Sequence, residues 1–494
     1  MNTKPVVVIG AGMGGLAAAL ALSAKNIPVV VLERHAAPGG KMRQVYVAAQ
    51  PFDAGPTVFT MRWIFENLFS LAGLELSEHL KLHKADLLAR HSWQDSDSLD
   101  LFTDLGQSMQ AISEFASNAE ADNYMRFAKK TRDVFNTLDH SFMRAQRPNP
   151  VALSLKGGLR GMIDMANTKP FISLWNLLAK DFTDPRLRQL FARYATYCGS
   201  SPFKAPATLM LIAHVERAGV WMVQGGMHAL AQALANAVQL CGADIRYDSG
   251  VAQIEAADDK VTAVVLDSGE RLEASAVIFN GDTQALASGL LGEDAMQACT
   301  AREEPSLSAV TRCQYACTSG YTLAHHTVFF GDNYSDEFDS VFERESITEN
   351  PTVYVCAQDR SGSADTQIEN GQHERLFSLV NAPARRLSDA ERKDAVEKMT
   401  HTLSSQGLVI DDEQGQSITT APGDFGRLFP ASDGALYGRP THGWMGSFKR
   451  PGAKSRVRGL YLCGGSVHPG AGVPMAALSG HLAAEQLFND RRLE

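Results

Sequence analysis

Residues 5–33 read PVVVIGAGMGGLAAALALSAKNIPVVVLE, and the fold is decided there. Val6–Ile9 is a β-branched run of the kind that suits a strand buried on both faces. Gly10, Gly12 and Gly15 follow in the spacing G-x-G-x-x-G. An apolar helical stretch then covers Gly14–Lys25, a second β-branched run covers Val29–Leu32, and Glu33 closes the unit 23 positions after Gly10. A lone glycine triplet says little. One that leaves a strand, opens a helix and precedes an acid at this distance predicts a βαβ dinucleotide site. Gly10 permits the tight turn, Gly12 admits a pyrophosphate to the backbone, and Gly15 lets helix and sheet approach. The helix N-terminus, with Gly14 in its first turn, offers free N–H groups and a positive dipole end to phosphate. Glu33 is placed to accept from ribose hydroxyls and to repel a 2′-phosphate.

The next residues narrow the cofactor. Arg34 to Lys41 read RHAAPGGK, a second close-approach loop in which the paired glycines Gly39 and Gly40 are followed by a cation, Lys41. Set just after the ribose acid, this loop favours FAD over NAD. FDAGPT, Phe52 to Thr57, then reads as a turn into a second segment.

The same opening imitates a signal peptide or a membrane span, since Pro5 to Ala24 carries no charge. Its glycines break such a helix, and the β-branched runs recur at βαβ spacing, so neither is expected. The chain has 494 residues, 45% hydrophobic and 20% charged, with Gly 41 and Pro 20 scattered without period. That length admits two or three domains and excludes disorder and collagen-like structure. The net charge of −9 makes it a poor nucleic-acid binder. Seven cysteines, far apart and without C-x-x-C, are expected to be reduced thiols; no metal site is expected.

Further along, Val58–Val223 is expected to be mainly helical, with Asp184-Pro185 starting a helix over Arg186–Tyr197. Two apolar stretches, Val58–Leu71 and Leu153–Phe182, are either core helices or a surface that docks on a membrane. The second is locally basic, with Lys156, Arg160, Lys169 and Lys180 against Asp164 and Asp181. From Gln224 the pattern becomes a helix at His228–Cys241 and strands at Asp244–Tyr247, Val251–Ala256, Lys260–Leu266 and Ala276–Phe279. Strands at Thr327–Phe330, Thr352–Cys356 and Arg375–Val380 and a helix at Asp389–Gln406 follow.

The end of the chain carries the second cofactor signal. Gly459–Cys463 reads as a buried strand, followed by GGSVHPGAGVPMAALSGHLAAEQL, Gly464 to Leu487. Gly464, Gly465 and Ser466 form a glycine-rich turn, and Val473, Pro474 and Met475 open a helix whose positive end suits a reduced flavin. A cofactor loop at each end of the chain means a discontinuous domain. Only one G-x-G-x-x-G occurs, which argues against a two-nucleotide reductase. His468 is the one ionisable side chain inside this motif, a candidate to relieve charge or accept a proton. Arg439 and His442, in the preceding GRPTH segment, are candidates to meet a polar substrate end.

GAGMGGLAAALAL, VVVLER, PGGK, FDAGPTVF, LFARYATYCGSSPFKAPAT, GALYGRPTHGWMGSFKRPG and the C-terminal motif together resemble the carotenoid desaturase branch of the amine-oxidase-like flavoproteins. The wording GGSVHPGAGVPMAALSG is most similar to that of bacterial hydroxycarotenoid desaturases. The resemblance covers nearly the whole chain. It implies a mixed α/β fold whose Rossmann-type FAD domain spans 1–60, 224–300 and 425–494. A substrate-binding, membrane-facing domain spans 61–223 and 301–424. It places Thr57 and the backbone at Val251 on the cofactor. It further implies desaturation of an acyclic carotenoid, most closely the 3,4-desaturation of a 1-hydroxy- or methoxy-carotenoid such as hydroxyneurosporene. The electron acceptor would be a quinone or oxygen. The enzyme would sit peripherally on the inner face of the cytoplasmic membrane. The competing readings are a phytoene-type desaturase, a flavin amine oxidase, and a non-catalytic prenyl-protein escort factor of the same fold.

Overall fold

The strand Val6–Ile9 lies at the centre of a five-stranded, all-parallel sheet in the computed structural model, which describes residues 4–94, 97–147, 168–362, 368, 371–411 and 416–493. Strand order is Leu460–Leu462, Ala276–Phe279, Val6–Ile9, Val29–Leu32, Asp244–Arg246. Val6 is in register with Ala276 on one side and Val29 on the other. Three distant parts of the chain therefore build one sheet. Both faces are covered, which is why these strands are continuous apolar runs. The helix Met13–Ser23 is buried at every residue. The C-terminal helix Val473–Leu493 crosses it. A Cβ at Gly480 would fall 1.9 Å from the Gly14 carbonyl oxygen, so the first and last helices touch backbone to backbone.

An antiparallel meander, Val251–Ala257, Lys260–Leu266 and Arg271–Glu273, packs beside this sheet. A second sheet runs Leu408–Asp411, Ser308–Gly320, Glu374–Ala382, Val353–Ala357, His326–Phe329, Leu87–Ser92, Ser98–Phe102, with Ser417–Thr420 also pairing with Ser308–Gly320. Helices Asn118–Leu138, Leu174–Asp181, Pro185–Ala192 and Leu211–Ala218 pack against it around a stack of Phe127, Phe182 and Phe191, ring centroids 4.9–5.3 Å apart.

The structure departs from the sequence expectations in the helical stretch and decides between the two readings of Val58–Leu71. The hairpin Leu87–Phe102 interrupts the stretch expected to be mainly helical and joins the second sheet, parallel to His326–Phe329. The helix begun by the Asp184 cap ends at Ala192 and tightens to a 3₁₀ turn over Arg193–Cys198, closed by Gly199. Three residues per turn bring i and i+3 into line, so Tyr194 and Tyr197 share one face. Val58–Leu71 is core and not a docking face: its helix Arg62–Leu71 buries Ile64, Phe65, Leu68 and Phe69. Of the basic stretch, 153–167 lies outside the described residues. In its remainder Leu174, Leu177, Leu178 and Phe182 are buried, and Phe171 is 77% exposed. Among the described residues no helix is long and apolar enough to cross a membrane.

Candidate active site

The C-terminal ends of the parallel strands open onto one continuous cavity of about 970 Å³, at the top of the ~300–1,000 Å³ range of small-molecule sites. Gly10, at φ +97°, turns the chain out of its strand. A Cβ at Gly15 would fall 2.0 Å from the Gly10 carbonyl oxygen, which makes that position a helix–strand contact set back from the cavity. Glu33 is buried. Its Oε2 accepts from the Ala11 N–H at 2.7 Å and its Oε1 from the His35 N–H at 3.0 Å. The carboxylate is thus fixed against the glycine turn with lone pairs still free. The Ser249 N–H donates to the Glu33 carbonyl at 2.8 Å, which draws the start of the Val251 strand beside it. Gly12, Gly14, Arg34 and Val251 line this end.

The PGGK loop is tied to the glycine turn by the Gly39 N–H on the Ala11 carbonyl at 2.9 Å. Gly40, Lys41 and Thr57 line the cavity beyond it. Lys41 Nζ donates to the Leu436 carbonyl at 2.5 Å. Burial pushes its pKa down, against the pull of the Asp282 carboxylate. On the far side, Pro474 and Met475 stand in the first turn of the last helix and line the cavity with Val473. The Gly464 N–H is held by Ser479 Oγ at 2.7 Å, and Ser466 Oγ accepts from the Thr283 N–H at 3.1 Å. Gly464, Gly465 and Ser466 also line the wall.

Two further groups here were not legible in the sequence. Asp282 follows the strand Ala276–Phe279 and lines the cavity, and among the described residues its buried Oδ2 has no hydrogen-bond partner. Arg450 is buried and donates to the carbonyls of Tyr437, Arg439 and Gly465 at 2.8–3.1 Å. Burial lowers its pKa to about 10, so it stays cationic at neutral pH. Asp282 sits in no motif, nothing in GALYGRPTHGWMGSFKRPG marks its Arg450 as a cavity residue, and their meeting depends on three chain segments. A dinucleotide fits this end. A positive helix terminus, Lys41 and Arg450 suit phosphate and an electron-rich ring. The orphaned Asp282 oxygen suits a polyol hydroxyl, since a buried unpaired carboxylate oxygen is otherwise costly.

Three expected residues are placed elsewhere. His468 does not line the cavity. It is buried, its Nε2 lies 3.0 Å from the Phe142 carbonyl oxygen, and burial lowers its pKa to about 4. It anchors the loop to the helical layer as a neutral ring, which corrects the proton-acceptor reading. Arg439 and His442 are also off the wall. His442 Nε2 accepts from the Ser201 N–H at 3.0 Å, and its Nδ1 faces Glu304 at 3.4 Å. His325, His326 and Cys356 bring possible ligand atoms within 4.8 Å of one another. Burial pushes the Cys356 thiol up and both imidazoles down; His325 Nε2 contacts the sulfur at 3.4 Å, while His326 Nδ1 lies 2.7 Å from Tyr354 Oη, so the trio is neutral and each member is engaged within the protein.

Past Thr57 the cavity turns apolar, with Val58, Leu138, Phe142, Leu209, Ile212 and Phe377 on its walls. It reaches the surface at Trp444, which is 45% exposed and packs against Phe171 with ring centroids 5.3 Å apart.

A dinucleotide end and an apolar chamber within one cavity define an FAD-dependent oxidoreductase. The model of the flavin containing amine oxidoreductase family matches residues 13–488. The chain belongs to that family, on its hydroxyneurosporene desaturase branch. It is 48% identical to the hydroxyneurosporene desaturase of Rubrivivax gelatinosus over 99% of this chain and 94% of that protein. It is 28% identical to the 1-hydroxycarotenoid 3,4-desaturase of Flavobacterium sp. strain P99-3, covering 98% of this chain and 99% of that one. Among solved structures, an oxidoreductase from Methanosarcina mazei shares the fold, with TM-score 0.60 at 15% identity, over 98% of this chain and 100% of that one.

Proposed function

We propose that the protein introduces a carbon–carbon double bond into an acyclic carotenoid, by 3,4-desaturation of a 1-hydroxy- or methoxy-carotenoid such as hydroxyneurosporene. The observation that carries this reading is the continuity of the cavity. It runs from Glu33 and Val251, past Lys41 and the last helix, into an apolar chamber that opens at Trp444. The names of the relatives point to the same substrate class.

FAD, when bound, supplies a hydride acceptor. The residues supply position. Glu33 takes the ribose hydroxyls of the cofactor, and Gly10, Gly12 and Gly14 admit its phosphates to the first helix N-terminus. Gly15 acts from behind, by setting helix against strand. Gly40, Lys41, Thr57 and Val251 hold its flanks. Gly464, Gly465, Ser466, Val473, Pro474 and Met475 present the second helix terminus to its ring. The apolar walls orient the polyene and exclude water. A carbon-bound proton beside a polyene-stabilised cation is acidic enough to leave without a strong base, so positioning dominates.

A quinone or oxygen would serve as the electron acceptor in this reading. The exposed Phe171 and Trp444 pair at the cavity mouth suits the interface of a bilayer, where aromatic rings are favoured. Seven free thiols suit a reducing compartment. Both features support a peripheral place on the inner face of the cytoplasmic membrane.

The test is expression in cells that make unhydroxylated neurosporene and in cells that make hydroxyneurosporene. Loss of two hydrogens from the hydroxylated pigment alone is the expected result. Conversion of neurosporene itself would move the protein to phytoene-type chemistry. No change in either pigment by flavin-loaded protein would overturn the reading. Sedimentation with anionic vesicles, weakened in Phe171→Ser, tests the membrane placement.

A further inference from the structure

The apolar chamber contains a polar island. Arg193, Tyr197 and Glu216 line it from the helical layer. Glu216 is satisfied on both oxygens: Tyr197 Oη donates to Oε1 at 2.5 Å and Tyr194 Oη to Oε2 at 2.7 Å. Arg193 Nη2 donates to the Tyr197 oxygen at 3.1 Å. Among the described residues no other Arg193 nitrogen has a hydrogen-bond partner, although a guanidinium carries five N–H donors. Burial alone would lower its pKa, but Tyr197, Glu216 and Tyr194 outweigh that and raise it, so the cation is permanent.

The second sheet and the FDAGPT turn supply further polar groups. Thr57 Oγ1 and Tyr354 Oη, both on the cavity wall, are 2.6 Å apart. Tyr354 Oη is also 2.7 Å from His326 Nδ1. Arg193, Tyr354 and Thr57 line the same cavity, and the Arg193 charge reaches both Tyr354 and His326.

A hydrocarbon lining has no use for a cation with unmet donors, and leaving them unmet beside a polyene is costly. We infer that Arg193, with Tyr354 and Thr57 lining the same chamber, forms the subsite that receives the single oxygen substituent, hydroxyl or methoxyl, at the end of an otherwise hydrocarbon substrate. This rests on the carotenoid reading above and names the residues that set its specificity. The substituent oxygen accepts from Arg193. A hydroxyl also donates to Tyr354 or Thr57, which a methoxyl does not. An unsubstituted end leaves Arg193 unpaired, and a site built around a hydrogen bond rejects the analogue that lacks it. The position fits the chemistry, because the carbon that carries the oxygen, C1, lies only two bonds from C3, and Thr57, on the cavity wall, is hydrogen-bonded to Tyr354.

The experiment measures kcat/KM of flavin-loaded protein on a 1-hydroxylated acyclic carotenoid and on its unhydroxylated parent, for wild type, Arg193→Met and Tyr354→Phe. Wild type is expected to prefer the hydroxylated substrate. Arg193→Met is expected to lower that preference about 10- to 100-fold, the range of a hydrogen bond to a charged group, through the hydroxylated substrate alone. Tyr354→Phe should lower it less, and more for the hydroxyl than for the methoxyl substrate. If wild type prefers the hydroxylated substrate and both variants keep the preference within twofold, the subsite is overturned while the carotenoid reading stands. If Arg193→Met fails to fold with flavin, Tyr354→Phe decides by the same criterion. If wild type turns over neither substrate, the carotenoid reading itself falls, and this inference with it.

Discussion

Glu33 and Arg450 illustrate what single residues reveal. Glu33 was legible because the turn, helix and acid lie within one local unit, and a fixed spacing encodes them. Its oxygens hold the Ala11 and His35 N–H groups and so preorganise the ribose contact. Glu33→Gln keeps the shape but replaces an acceptor oxygen by a donor. FAD affinity is expected to fall about tenfold or more, the scale of one charge-assisted hydrogen bond, read as flavin content after gel filtration. Arg450 was not legible, because its three carbonyl partners come from the folded crossing of the GRPTH segment and the last glycine turn. Arg450→Met should cost about 1–3 kcal/mol in folded stability and release flavin more readily, seen as a lower Tm that added FAD restores in part. His468 was misread for the complementary reason. Its neighbours in sequence face the cavity, but its own ring turns back to Phe142.

Elements were easier to read where their period is local. The βαβ unit, the meander and the helix Asp389–Ser405 with its Ser388 capping box fall close to where the sequence puts them. The 13-residue strand Ser308–Gly320 was missed, since SAVTRCQYACTSG alternates poorly, and three facing strands decide its conformation. The 3₁₀ turn over Arg193–Cys198 was also missed, and it is the element that aims Tyr194 and Tyr197 at Glu216. The contact between first and last helices yields a prediction at this scale. Gly480→Ala would set a Cβ 1.9 Å from the Gly14 carbonyl oxygen, which is rigid backbone. Separation of the helices would disturb both cofactor loops at once. A loss of about 2 kcal/mol, typical of overpacking, together with weaker flavin retention is expected in a denaturant titration.

At the scale of the whole molecule, the buried histidines set a pH dependence. His91, His325 and His468 lie in low-dielectric surroundings, and burial lowers their pKa from 6.5 to about 3, 4 and 4 respectively. Between those values the unfolded chain binds more protons, so their stabilisation is complete above 6.5 and is lost as pH falls toward 4. At about pH 5 each contributes roughly 2 kcal/mol less than at neutral pH. The Tm should fall on acidification from about pH 7 to 5, and His468→Gln should flatten that slope; an unchanged slope would contradict the neutral, buried ring. The discontinuous cofactor domain was visible from the two chain ends. The layout of the chamber was not, because its walls come from two sheets and a helical layer that only folding brings together. The central claim is that one cavity joins the cofactor to the substrate oxygen subsite. Its most direct test is a single turnover without oxygen or quinone, with flavin-loaded protein mixed with excess 1-hydroxylated carotenoid. The account predicts one new double bond per bound flavin, read as loss of two hydrogens by mass, with the flavin reduced in equal amount. Product formed without matching flavin reduction, or flavin left oxidised beside bound carotenoid, would contradict it.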